Sequence, residues 1–85
     1  MPYTVRIKAS ALKVLAKLPR TDRLRIKVRM DALSADPRPS GATKLSGPEG
    51  LYRIRAGDYR IVYAVQDKAL LVLVVRIGHR REVYR

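Results

Sequence analysis

The chain contains no cysteine, which leaves it without disulfides or thiolate metal sites and suits a reducing compartment. A single histidine, His79, is too few for a His-based zinc centre. Acidic residues are scarce as well, seven against 19 lysines and arginines, for a net charge of +12. Long apolar stretches are also missing. The longest, from Ala69 to Val75, falls far short of the ~20 residues that span a bilayer, and the opening Met1-Pro-Tyr-Thr-Val-Arg-Ile-Lys8 lacks the apolar run of a secretory signal. The expectation is a soluble cytoplasmic protein with no membrane association.

With 47% hydrophobic residues the chain can build one core, and at 85 residues it has no length for a second. A single domain over residues 1–85 is therefore expected. Concentrating so much positive charge in a small body favours a polyanionic partner, whether nucleic acid, an acidic protein or an anionic surface. Charge alone does not choose among the three.

Local patterns supply the elements. Tyr3 to Lys8 alternates and is rich in β-branched residues, as in a short strand with one exposed face. Ser10 reads as the N-cap of a helix that carries Leu12, Leu15 and Leu18 on one face until Pro19 interrupts it. A second helix is expected from Thr21 to Ala35, ended by Asp36-Pro37. Leu24, Val28 and Ala32 share one of its sides and Ile26, Met30 and Leu33 fall nearer the other, which predicts packing between a helix and a sheet.

Asp36 to Gly50, with Pro37, Pro39, Pro48, Gly41 and Gly47, reads as a loop. Strands are expected at Leu51–Ala56, Tyr59–Val65 and Ala69–Ile77, the last apolar on both faces and so covered on both, with Gly78 breaking it. The order β-α-α-β-β-β predicts an α+β fold, a helical hairpin packed on a mainly antiparallel four-stranded sheet.

Gly57-Asp58, with glycine first, fits a two-residue type II′ turn. That turn sets Ala56 opposite Tyr59, Arg55 opposite Arg60, Ile54 opposite Ile61 and Arg53 opposite Val62. Side chains alternate along a strand, so Arg53, Arg55 and Arg60 would share a face. Like charges placed opposite one another destabilise a hairpin, whereas three guanidinium forks suit phosphate oxygens. Solvated surface arginines would give the same spacing. Beyond the last strand, Arg76-Ile-Gly-His-Arg-Arg-Glu-Val-Tyr-Arg85 gathers arginines round His79 and Tyr84. An aromatic ring there can stack on a base, and an imidazole or phenol can move a proton. A structural His79 and a Tyr84 that anchors the tail are the plainer alternatives.

Leu51-Tyr-Arg-Ile-Arg, Gly57-Asp-Tyr-Arg-Ile-Val-Tyr63 and Gly78-His-Arg-Arg-Glu-Val-Tyr84, with Leu15-Ala-Lys-Leu-Pro19 and Lys44-Leu-Ser-Gly47, together resemble the RelE/ParE toxin superfamily, most closely its RelE branch. The resemblance runs along essentially the whole chain. It implies the toxin of a type II toxin–antitoxin pair, a metal-independent endoribonuclease that cuts mRNA on the ribosome and inhibits translation. No cofactor is implied. The implied partners are a RelB-like antitoxin and ribosome-bound mRNA, the toxin chain being monomeric until it joins its antitoxin.

By the same resemblance the family's basic positions, lysine in some members, correspond to Arg53 and Arg55, its hairpin arginine to Arg60, and its tail arginine and tyrosine to Arg80 and Tyr84, with Arg81 the other alignment for the tail arginine. Arginine at 53 and 55 keeps the charge but does not serve as a base. Tyr84 is the favoured proton acceptor, its phenol lowered by neighbouring positive charge, and His79 is its rival. Asp58 and Glu82, the nearby carboxylates, are too few for a two-metal nuclease. Two other readings stay open: a ParE-like gyrase poison on the same fold, and a non-catalytic nucleic-acid-binding domain.

Overall fold

The computed structural model describes residues 2–79. Arg80, Arg81, Glu82 and Tyr84 lie outside the described residues. The elements run β1 (Thr4–Ile7), α1 (Ala9–Ala16), α2 (Arg20–Ala32), β2 (Thr43–Lys44), β3 (Leu51–Ala56), β4 (Tyr59–Gln66) and β5 (Leu71–His79). The α+β fold is as expected, with two additions. Thr43–Lys44, within the supposed loop, forms a fifth strand on the edge of the sheet, and β1 pairs in parallel with β5, giving the order β1-β5-β4-β3-β2. Two residues are too few for any periodicity to announce them.

The helices pack on one face of the sheet. Lys8, not Ser10, precedes the first turn of α1: its amide donates to the Val74 carbonyl and its own carbonyl accepts from Leu12, so the helix starts directly off the strand. The inward face is Ala11, Leu15 and Leu18, and Leu12 is exposed, because Ala11 at i, i+4, i+7 spacing supplies the small residue that lets the helix approach the sheet. In α2 only Ile26 and Met30, continued by Leu33 just beyond, are buried, while Leu24 and Val28 face outward. The helix has one packed side, not the two expected.

β3 and β4 form a hairpin with Gly57 at φ 62 and the register the turn predicts: Ala56 with Tyr59, Arg55 with Arg60, Ile54 with Ile61, Arg53 with Val62. Asp67–Ala69 makes a single 3₁₀ turn and Leu70, at φ 49, closes the connection, so β5 begins two residues later than its apolar run. It also runs further. Gly78 and His79 remain paired, with Arg60 and Tyr59, so the glycine does not break the strand.

Halfway along β5 the register with β4 shifts: Tyr63 pairs with Val74 but Val62 with Arg76, leaving Val75 as a bulge. Val72 and Val74 before it and Ile77 after it are buried in the helix-covered core with Ile54, Ile61 and Tyr63. The other face of β5 is only partly covered, Leu71, Leu73 and Val75 being half-buried. Among the described residues no helix is long and apolar enough to cross a membrane.

Candidate functional site

The face of the sheet opposite the helices carries Arg53 and Arg55 from β3 and Arg60 from β4, as alternation across the hairpin requires. These three side chains, with Gly41, Thr43 and Ile54, line a cleft of about 190 Å³. Arg60, 8% exposed, is the one buried charged residue among those described; Arg53 is half-buried and Arg55 exposed. A cation set deep between strands with two more beside it is a site organised for an anion, since the interactions of a desolvated guanidinium are less screened than those of one in water.

Gly41 and Thr43 were not legible as site residues. They reach the cleft because β2 pairs Thr43 with Arg53, and the loop that carries them is fastened to the far end of the sheet. Arg38 holds that fastening: Nη1 and Nη2 donate to the two carboxylate oxygens of Asp67 at 3.1 and 2.8 Å, and Nε donates to the Tyr52 hydroxyl at 3.0 Å. The Tyr3 hydroxyl donates to the same carboxylate at 2.7 Å, and the Tyr63 hydroxyl donates to the Pro37 carbonyl at 2.8 Å. Hydrogen bonds from Arg38 and then Tyr3 lower Asp67 to about 2. Burial, above all, pushes the Tyr63 phenol up to about 12. The motif is invisible in sequence because Arg38 and Asp67 sit in two separate loops.

His79 is not brought to the arginines. It pairs opposite Tyr59 on the other face of the sheet, their rings edge to face with centroids 5.7 Å apart. A larger cleft, about 360 Å³, lies between α1 and β5 and is lined by Ser10, Ala11, Val14, Val75, Arg76, Ile77 and Gly78. With one charged residue in its wall it lacks the convergent chemistry of the arginine cleft.

Two helices on one face of a mixed five-stranded sheet define the architecture also seen in solved RelE toxins. The archaeal RelE of the RelE–RelB complex from Pyrococcus horikoshii superposes with a TM-score of 0.84 at 33% identity, over 94% of this chain and 97% of that one. The isolated Escherichia coli RelE toxin gives 0.79 at 34% identity, over 96% and 90%. In sequence, toxin RelG of Mycobacterium tuberculosis is 34% identical across 100% of this chain and 99% of its own length, and the mRNA interferase toxin RelE of Escherichia coli 36% identical across 99% and 92%. The family described as the ParE toxin of type II toxin–antitoxin systems matches residues 5–84. The chain belongs to the RelE/ParE toxin superfamily, in its RelE branch.

Proposed function

We propose that this chain is the toxin of a type II toxin–antitoxin pair and cuts mRNA in the ribosomal A site without a metal, acting as one domain in the cytoplasm. The observation that carries the reading is the convergence of Arg53, Arg55 and the buried Arg60 on one cleft. The relative named an mRNA interferase supports it, as do neighbours solved as toxin–antitoxin complexes.

RNA supplies its own nucleophile. The 2′-oxygen bonds to the adjacent phosphorus as the bond to the 5′-oxygen breaks, leaving a 2′,3′-cyclic phosphate and a 5′-hydroxyl. One proton must leave the 2′-hydroxyl, one must reach the 5′-oxygen, and the phosphoryl oxygens gain charge in between. Arg53, Arg55 and Arg60 meet that charge, the buried Arg60 being set between the strands before substrate arrives, and each such donor is worth about 10²–10³ in rate. Arg80, or Arg81, assists or protonates the leaving oxygen. Tyr84 takes the 2′-proton. His79 is the weaker rival for that role, since its ring faces Tyr59 on the far side of the sheet from Arg60.

The partner that restrains the toxin is a RelB-like antitoxin, whose acidic residues would mask the arginine face. A gyrase poison is the second reading, favoured by the ParE description of the matching family. The deciding experiment maps 5′ ends of mRNA after the purified protein is added to translating ribosomes and to naked RNA. Cuts at A-site codons only with ribosomes are expected; intact mRNA together with gyrase-dependent DNA breaks would replace this reading with the second. Single-turnover cleavage by Tyr84→Phe and His79→Ala then assigns the base, with the larger loss expected in Tyr84→Phe.

A further inference from the structure

Arg76, which also borders the cleft between α1 and β5, is an arginine of the open face that the arginine cleft does not absorb. Before the bulge in β5, Val72 and Val74 point into the core, and uninterrupted alternation would send residue 76 there too. The extra residue Val75 reverses the phase: Ile77 is buried under the helices and Arg76 is exposed, level with Val62 and in the same cross-strand row as Arg53. Two adjacent rows of the open face therefore carry the hairpin arginines and Arg76. One runs Arg55, Arg60, Gly78; the other runs Thr43, Arg53, Val62, Arg76.

We infer that Arg76, with Arg53 shared between the two sites, forms a second phosphate subsite, which holds the phosphate next along the RNA strand from the one attacked in the arginine cleft. This rests on the nuclease reading above. The two rows are two residues apart along the strands, about 6.7 Å, a spacing comparable to that of neighbouring phosphates in an extended single strand. Arg53 and Arg76 stand two strand spacings apart, about 9.6 Å between backbones, with Val62 between them as an apolar floor. Two long guanidinium arms can close over one phosphate from opposite sides across such a gap. Gly78, opposite Arg60, leaves the end of the first row without a side chain, so the strand can pass from one row to the other.

The test uses all-2′-deoxy oligonucleotides, which cannot be cut: a dinucleotide with one phosphate and a trinucleotide with two, each titrated into the full-length protein by NMR. The wild type is expected to prefer the trinucleotide by about ten-fold, the worth of one charge-assisted phosphate contact. Arg76→Ala should erase most of that preference while leaving dinucleotide affinity close to wild type, and Arg76→Lys should restore part of it. With a longer non-cleavable strand, the slope of log affinity against log salt should fall by about 0.7 in Arg76→Ala. Equal losses for both oligonucleotides, or an unchanged preference, would overturn the subsite and leave Arg76 a structural or general electrostatic residue. If ribosome-bound mRNA is not cut while the wild type still prefers the trinucleotide through Arg76, the nuclease reading fails and the subsite stands as a binding site.

Discussion

Along β4, Ile61 and Tyr63 turn into the helices and are fully buried, whereas Arg60, their neighbour, opens on the other face beside Arg55 and Arg53. The same strands thus carry two chemistries, separated only by the parity of residue number. On the covered side a residue earns its place by volume and apolar area. On the open side cations face one another across the ladder, an arrangement that costs stability and gains an anion site. The contrast teaches that stability and activity in this sheet can be altered almost independently, provided the substitution stays on one face.

The strongest trial of that separation pairs two adjacent residues. Ile61→Ala removes a fully buried side chain from the centre of the core and should cost about 2–5 kcal/mol of stability in urea unfolding. Arg60→Ala should lower the single-turnover cleavage rate about 10²–10³-fold, with stability changed by no more than about 1 kcal/mol. A severe unfolding defect in Arg60→Ala would show that the buried guanidinium supports the fold as well as the site.

Tyr63→Phe keeps the ring in the core but strips the Pro37 carbonyl of its donor, and should cost about 1 kcal/mol. The folded phenol titrates near 12, above its ordinary value, so its contribution to stability is complete below the ordinary range and is lost as pH rises toward 12. Spectrophotometric titration of the wild type against Tyr63→Phe should lose that late-ionising component. A smaller effect, of opposite sign, sharpens the comparison. Arg55→Thr relieves the like-charge pair with Arg60 and should raise stability by about 0.2–1 kcal/mol while slowing cleavage.

The smallest effect concerns the fastening of the loop. Asp67 is depressed to about 2 by Arg38 and Tyr3, so its stabilising contribution is present above the ordinary aspartate range and disappears as pH falls through that range toward 2. Asp67→Asn should flatten that acid limb of the thermal-unfolding profile and lower stability near neutral pH by the same amount, a small one for an exposed pair.

The hairpin was legible in full because one local signal, glycine at the first turn position, fixes the register of every residue up to Arg53 and Val62. Once that register is known, three of the site arginines share a face by alternation alone. Beyond it, legibility failed wherever a long-range pairing overrode local pattern. Thr43 and Gly41 enter the cleft through pairing of β2 with β3, Arg38 finds Asp67 across the fold, and a bulge at Val75 reverses the face of Arg76. In α1 the error had a different source: leucines drew the inward face toward Leu12, whereas close packing on the sheet selected the smaller Ala11.

The parallel ladder joining Thr4 to Leu71 and Ile7 to Val74 sets an order of events in time. The strand β1 must wait, unpaired, until nearly all the described chain has been made, because among the described residues its only ladder partner is β5. Closing so distant a pairing is entropically slow, and the waiting edge is exposed meanwhile. For a toxin of this superfamily, the delay means that the sheet, and the arginine face built on it, is completed only after β5 has been made.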